Sequence, residues 1–426
     1  MDFATSALQE LPDTAPAVPK TVIRTQRDPA LDGLRGLAVL LVFLFHYGGG
    51  LKSSEPAVRL AGYITEAGWI GIVLFFALSG FLITGSLWDS VGQKRRLRNF
   101  YSRRALRILP LYFAALLAAG LFAMARGFTF AELKPLGLYF AFLQDLPHLG
   151  RIANDFKSPL PLYHLWTLAV EEQFYLIWPL ILLFAHSRRH AVRLSIWFVG
   201  LTELFLVAAY TLSAFQTARA HHTYDQFLFT HTAALALGAA VSLSMGDRAS
   251  PTGRKPGSHR IIRKWALPAF FIGVALFLYT SYHSASFYLT MPIQFWLGLP
   301  AISIAAAASI PLVLRTGLPR KVFSFPPLGW IGRISYGFYI FHILLEPLFD
   351  TLAARTLHVT SGQEYQMVRL LFAFPITICV AWLSFHLFEL PILALKRYFP
   401  MRQELPWGER VEVTLRSRRR KSRSRL

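Results

Sequence analysis

Apolar runs of 18 or more residues recur along nearly the whole chain, and they fix the solvent in which it folds. They cover 31–49, 69–87, 106–125, 165–185, 194–213, 227–246, 265–282, 293–314, 329–350 and 367–390. A helix needs about 20 apolar residues to cross the hydrocarbon core of a bilayer, and inside that core each segment must pair its own backbone polar groups. The pattern therefore predicts an all-α polytopic membrane bundle of about ten transmembrane helices. Composition agrees: 54% of the 426 residues are hydrophobic and only 16% are charged, against about a quarter in average soluble domains. A soluble globular fold, a disordered chain and a disulfide scaffold are excluded. The single cysteine, Cys379, allows no intramolecular disulfide and no cysteine metal cluster. One further run, LGLYFAFLQDL at 136–146, is too short to span and is expected to lie at the interface or to re-enter.

The net charge of +21 is a question of location. With a cytoplasmic N-terminus, 34 of the 44 Lys and Arg residues fall on the inner side of the ten spans. By the positive-inside rule both termini are then cytoplasmic, which needs an even number of spans. The basic run RSRRRKSRSRL at 416–426 suits anionic headgroups, so membrane lipids rather than nucleic acid are the expected partners. The chain divides into a flexible tail over 1–27 without a signal-peptide pattern, a membrane domain over 28–398 and a basic tail over 399–426. No internal or inverted repeat of the transporter kind is visible.

Ionisable side chains inside a bilayer cost roughly 2.5–3.5 kcal/mol each, so they mark where to look for function. Arg35 and His46 in the first span are eleven residues apart. That is about three turns plus 20°, so they share one helix face with about 16 Å of rise between them. A snorkelling arginine paired with Asp32 and an unrelated packed histidine would fit the same spacing. At the start of the third span, Arg104 and Arg107 are i,i+3 neighbours able to converge on one anion near a helix N-terminus. Ordinary positive-inside anchoring is the competing explanation. Glu171 and Glu172 point about 100° apart, so only one can face the cavity that holds His46. A carboxylate there would orient the imidazole and raise its basicity. Ser335, Tyr336, Tyr339 and His342 are expected to line a polar cavity, with helix–helix hydrogen bonding as the alternative. The chain carries no Walker A loop, no Rossmann glycine fingerprint, no HExxH and no GxSxG, and nothing in it requires a metal.

These residues resemble acyltransferase family 3, the integral-membrane acyltransferases of bacterial surface and secreted glycans. The matching segments are LDGLRGLAVLLVFLFH at 31–46, FFALSGFLIT at 75–84, FYSRRALRILPLY at 100–112, LWTLAVEEQFYLIWPL at 165–180, ISYGFYIFH at 334–342 and FELP at 388–391. The resemblance implies a bacterial inner-membrane O-acyltransferase. It would move an acyl group, commonly acetyl, from cytoplasmic acyl-CoA as co-substrate to a hydroxyl of an extracytoplasmic carbohydrate or glycolipid acceptor. It makes His46 and Glu171 the catalytic pair, with Arg35, Arg104 and Arg107 binding the donor; Glu172, Ser335, Tyr336, Tyr339 and His342 would line the cavity. His46 would act as a general base or as a transient acyl carrier. The family's hydrolase-like outer domain is not seen after the last span, and the basic tail is outside the resemblance. A transporter or flippase using the same ionisable groups as its path is the alternative.

Overall fold

The computed structural model describes residues 28–48, 55–154, 156, 158–211, 228–245, 257–357 and 362–401; the expected tail over 1–27 and the basic run at 416–426 lie outside the described residues. In chain order the helices are α1 (Pro29–Gly48), α2 (Pro56–Glu66), α3 (Ile70–Asp89), α4 (Arg96–Ala125), α5 (Leu136–Phe140), α6 (Pro147–Asn154), α7 (Trp166–Leu183) and α8 (Arg188–Thr211). They continue as α9 (Leu228–Met245), α10 (Gly257–Ser284), α11 (Leu299–Val313), α12 (Leu318–Phe323), α13 (Pro326–Leu344), α14 (Glu346–Leu357), α15 (Gln363–Ser384) and α16 (Leu390–Ala394). No strand occurs among the described residues.

Seven helical segments are long and apolar enough to cross a membrane; α13 and α14, bent by 58° at the break between them, add an eighth if the pair is one span. The expected count of about ten exceeds this because two central helices fail on length or hydropathy. The Glu171–Glu172–Gln173 run lowers the hydropathy of α7, and the described apolar part of α9, Thr230–Met245, is short. Of the two, α9 lies inside the bundle, while α7 keeps an exposed face at Leu176, Leu180 and Leu183. From Thr230 to Ala240 every α9 residue but one is buried, as expected of a helix covered on all sides.

Small residues set the closest approaches. A Cβ at Gly80 of α3 would strike the Leu235 carbonyl of α9, and one at Gly238 of α9 would strike the Ala77 carbonyl of α3. Gly36 of α1 meets Leu328 and Gly332 of α13 meets Asp32 in the same reciprocal way. Without a solvent to drive helices together, such backbone contact supplies the packing.

The run at 136–146 is too short to span, as expected. It breaks after the single turn of α5, and its Gln144 and Asp145 are buried against α4 and α7. The Tyr112 hydroxyl donates to the Tyr139 carbonyl at 2.7 Å, Gln144 Nε2 to the Leu165 carbonyl at 3.0 Å, and Gln173 Nε2 to Asp145 Oδ1 at 2.6 Å. The third span begins ten residues earlier than its hydropathy suggests: α4 is continuous from Arg96, because Arg and Leu are good helix formers. Arg104 and Arg107 therefore lie about two and three turns inside, away from the helix N-terminus expected beside them.

Candidate active site

Two joined cavities run through the centre of the bundle. The first, with about 970 Å3 of empty volume, lies at the N-terminal end of α1 and is lined by Asp28, Asp32, Ser86, Arg103 and Lys396 among others. The second, about 750 Å3, is the deeper chamber, lined by Phe75, Phe76, Ser79, Glu171, Tyr175 and Tyr336 among others. Arg35, Leu82, Arg104 and Arg107 line both. Three guanidinium groups, from α1 and α4, thus form a collar between an entrance and a chamber.

Each side chain reaches this place for a local reason. On α7 the chamber face is the i,i+4,i+8 stripe Thr167, Glu171, Tyr175. Glu172, rotated about 100° away, does not line the chamber; it is half-buried, and its inaccessible Oε1 makes no hydrogen bond. Glu171 lies beside Ser79 and Tyr175 in the chamber lining and within electrostatic reach of Arg104 and Arg35. Ser79 Oγ and the Tyr175 hydroxyl are themselves 2.5 Å apart. The Arg104 guanidinium sits over the Tyr175 ring, 5.3 Å from its centroid. Arg107 lies within electrostatic reach of Glu389 and Tyr336. Ser335, Tyr336 and Tyr339 of α13 complete the wall, and the Tyr336 hydroxyl donates to the Ile108 carbonyl at 2.6 Å.

The chamber ends at a pair of hydroxyls. The Tyr339 hydroxyl lies 2.6 Å from Thr167 Oγ1 and 2.6 Å from the His164 carbonyl. Beyond it stand three imidazoles: the ring centroids of His46 and His342 are 5.1 Å apart, those of His164 and His342 5.3 Å. Tyr339 touches both inner rings, at 5.4 Å from His164 and 5.3 Å from His342. His46 does not line the chamber, so the expected shared wall of Arg35 and His46 is interrupted where α7 and α13 bring Thr167 and Tyr339 between them. The pairing of His46 with Glu171 is also not formed. His46 Nδ1 is 2.9 Å from the Val42 carbonyl of its own helix, and Glu171 stays with the arginines. His342 likewise leaves the chamber stripe, because each i,i+3 step from Tyr336 turns the helix face by about 60°.

The imidazoles share a device. A carbonyl oxygen only accepts, so His46 carries its proton on Nδ1 and keeps a lone pair on Nε2. His342 Nδ1 lies 2.5 Å from the Tyr339 carbonyl and His164 Nε2 3.2 Å from the Ile340 carbonyl. The remaining nitrogens of these two rings, His342 Nε2 and His164 Nδ1, are buried without a hydrogen bond. Among the described residues no three His, Cys, Asp or Glu side chains are disposed to hold a metal ion. The sequence reading passed over Thr167, Tyr175 and His164. The first two were legible as the i±4 neighbours of Glu171, while His164 depends on long-range packing against α13.

Residues 28–386 match the sequence profile of a family described as an acyltransferase domain. Among curated proteins, the chain is 28% identical over 382 residues to a peptidoglycan O-acetyltransferase of Listeria monocytogenes, covering 85% of this chain and 55% of that protein. A putative peptidoglycan O-acetyltransferase of Bacillus subtilis is 27% identical over 383 residues, with 85% and 54% covered. A putative O-acetyltransferase of Staphylococcus aureus is 27% identical over 337 residues, with 74% and 50% covered. The chain spans about half the length of these relatives.

Proposed function

The chain belongs to this acyltransferase family, and we propose that it is a membrane O-acetyltransferase that moves an acetyl group from cytoplasmic acetyl-CoA to a hydroxyl of an extracytoplasmic carbohydrate. The names of its relatives support an O-acetyl product and a peptidoglycan-like acceptor. In this reading α7, α9 and the bent α13–α14 pair join the seven long segments to make ten crossings, with both termini in the cytoplasm of a bacterial inner membrane. The excess of Lys and Arg on alternate connections supports that orientation. The entrance cavity then faces the cytoplasm, and His46 lies toward the outside.

The donor's phosphates would rest on the collar of Arg35, Arg104 and Arg107, since guanidinium forks match phosphate oxygens bidentately. Its thioester arm would occupy the chamber beside Glu171, Ser79 and Tyr175. The acyl group would pass at the Thr167–Tyr339 hydroxyl pair. His46 Nε2 would take the proton of the acceptor hydroxyl, or carry the acyl group briefly before handing it on. The observation that carries this reading is the arginine collar shared by two cavities. It leads from a basic mouth toward imidazoles whose free nitrogens are set by backbone carbonyls.

The test is thiol release by the purified full chain in lipid nanodiscs supplied with acetyl-CoA and a peptidoglycan oligosaccharide. We expect free CoA and O-acetylated sugar in equal amounts, with the donor KM raised at least about tenfold by Arg104→Ala, the loss of one charge-assisted hydrogen bond. A transporter using the same groups consumes no thioester, so transport without thiol release would sink the proposal.

A further inference from the structure

At the far end of the bundle from the arginine collar, a second polar cluster lies on one side of His46. The bend between α13 and α14 presents Glu346 at the start of α14. Glu346 accepts from the Tyr163 hydroxyl at 3.2 Å and is paired with Arg369 of α15. Arg369 Nε also pairs with Asp350 Oδ1 at 2.5 Å, and Asp350 accepts from the Tyr365 hydroxyl at 3.0 Å. The Arg369 guanidinium stacks 4.8 Å from the Tyr47 ring centroid. The Tyr163 ring in turn lies 6.2 Å from that of His46.

The cluster is graded from a fixed base to an open face. The Arg369 side chain is 9% exposed, Glu346 21%, Asp350 43% and the Tyr163 residue 40%. Arg369 is thus an internal anchor that holds two carboxylates at fixed positions, with a phenol ring beside them. Two carboxylates against one guanidinium leave the cluster with one negative charge, which disfavours a phosphate headgroup. Carboxylate oxygens instead accept hydrogen bonds from hydroxyl groups, and a phenol ring offers an apolar face with a polar tip. A second, independent observation lies behind the same face. His342 is fully buried and its Nε2 has no hydrogen-bond partner, in a ring 5.1 Å from His46. Buried polar nitrogens in this state are rare and call for a missing partner.

We propose that Tyr163, Glu346, Asp350 and Arg369 form the acceptor site, which takes a hydroxyl-rich, phosphate-free sugar ring and presents one hydroxyl to His46 Nε2. This rests on the acyl-transfer reading. In the transfer the acceptor O–H bond breaks and its proton goes to His46, the oxygen forms the ester bond to the acyl carbon, and the thioester C–S bond breaks. The leaving thiolate then takes up a proton, so that ester and free CoA are the products and the imidazole is regenerated.

The experiment uses the full chain in nanodiscs with acetyl-CoA and a tetrasaccharide of alternating N-acetylglucosamine and N-acetylmuramic acid whose lactyl carboxyl groups are amidated, so that the probe carries no charge. Tyr163→Ala and Asp350→Asn are each expected to raise the KM for the tetrasaccharide about tenfold while the KM for acetyl-CoA stays within about twofold, as for the loss of one hydrogen bond to a charged group. Equal shifts in both constants, or an unchanged acceptor KM, overturn the proposal. Occupancy is read independently of chemistry. With Cys379→Ser as background, Tyr163→Cys is expected to react more slowly with a maleimide when the tetrasaccharide is added at millimolar concentration. Lack of protection overturns the site. Protection together with no thiol release by the unaltered chain upholds the site and overturns the transfer reading instead.

Discussion

The 2.9 Å contact between His46 Nδ1 and the Val42 carbonyl leaves Nε2 as the basic nitrogen of that ring. A carboxylate partner is not needed to set the tautomer, which is why Glu171 is free to stand among the arginines. His46→Gln tests this at the scale of one side chain. It keeps the length and polarity of the side chain, and an amide nitrogen has no lone pair to accept a proton. The expected result is a fall in kcat of about 10²–10⁴, the usual contribution of a positioned base. The donor KM should stay unchanged, because His46 does not line the chamber. Single-turnover thiol release measures both; wild-type kcat in the variant would remove His46 from the reaction. At this scale helical spacing limits what can share a face: only one of Glu171 and Glu172 can line the chamber, and the lining residue is Glu171. The sequence was uninformative for His46 and His342, whose company depends on which helices α1 and α13 meet.

The α5–α6 insert shows how an element too short to span earns a buried place by polar contacts. Asp145 lies on its connection, outside the membrane-spanning helices, 1% exposed, with Oδ1 held by Gln173 and Oδ2 buried without a partner. Burial pushes its carboxyl up from 3.8 to about 7. Between these two values the folded chain holds a proton that the unfolded chain has lost. The contribution of Asp145 to stability is therefore full below about pH 4 and is lost as the pH rises through 7. Asp145→Asn, which mimics the neutral acid, should flatten this dependence and unfold at a higher temperature than the wild type at pH 8. Thermal unfolding in detergent between pH 5 and 8 measures it; parallel curves for both proteins would show that the carboxyl titrates below this range. Nothing in the run LGLYFAFLQDL announces this, because an apolar segment of eleven residues looks alike whether it meets lipid or α4. By contrast, Gly80 packs against α9 by backbone contact at the Leu235 carbonyl.

On the scale of the whole molecule, polarity is asymmetric along the α1 axis. Arg103, Lys396 and the arginine collar lie at its N-terminal end, while Tyr163, Glu346 and His46 lie at the other. Helix length and hydropathy together recover seven or eight crossings, because Glu171, Glu172 and Gln173 lower the apolar signal of α7 and the described part of α9 is short. Charge bias adds what hydropathy omits. If α7 and α9 cross, as proposed, most Lys and Arg residues fall on connections of one side. Should either helix fail to cross, every later connection would change sides, so the order of sidedness along the chain is a sharp test. Cys379 is the one native thiol and is exposed, which makes Cys379→Ser a clean background for it. In that background Thr129→Cys, on the connection after α4, should react with an impermeant maleimide in spheroplasts. Lys94→Cys before α4 and Thr316→Cys after α11 should react only once the membrane is opened. Between Thr129 and Thr316 the ten-helix topology places five crossings, counted as α7, α8, α9, α10 and α11, so the two positions must differ in access. Equal access would mean that α7 or α9 does not cross, and the basic mouth and the imidazoles could then no longer be assigned to opposite sides of the bilayer.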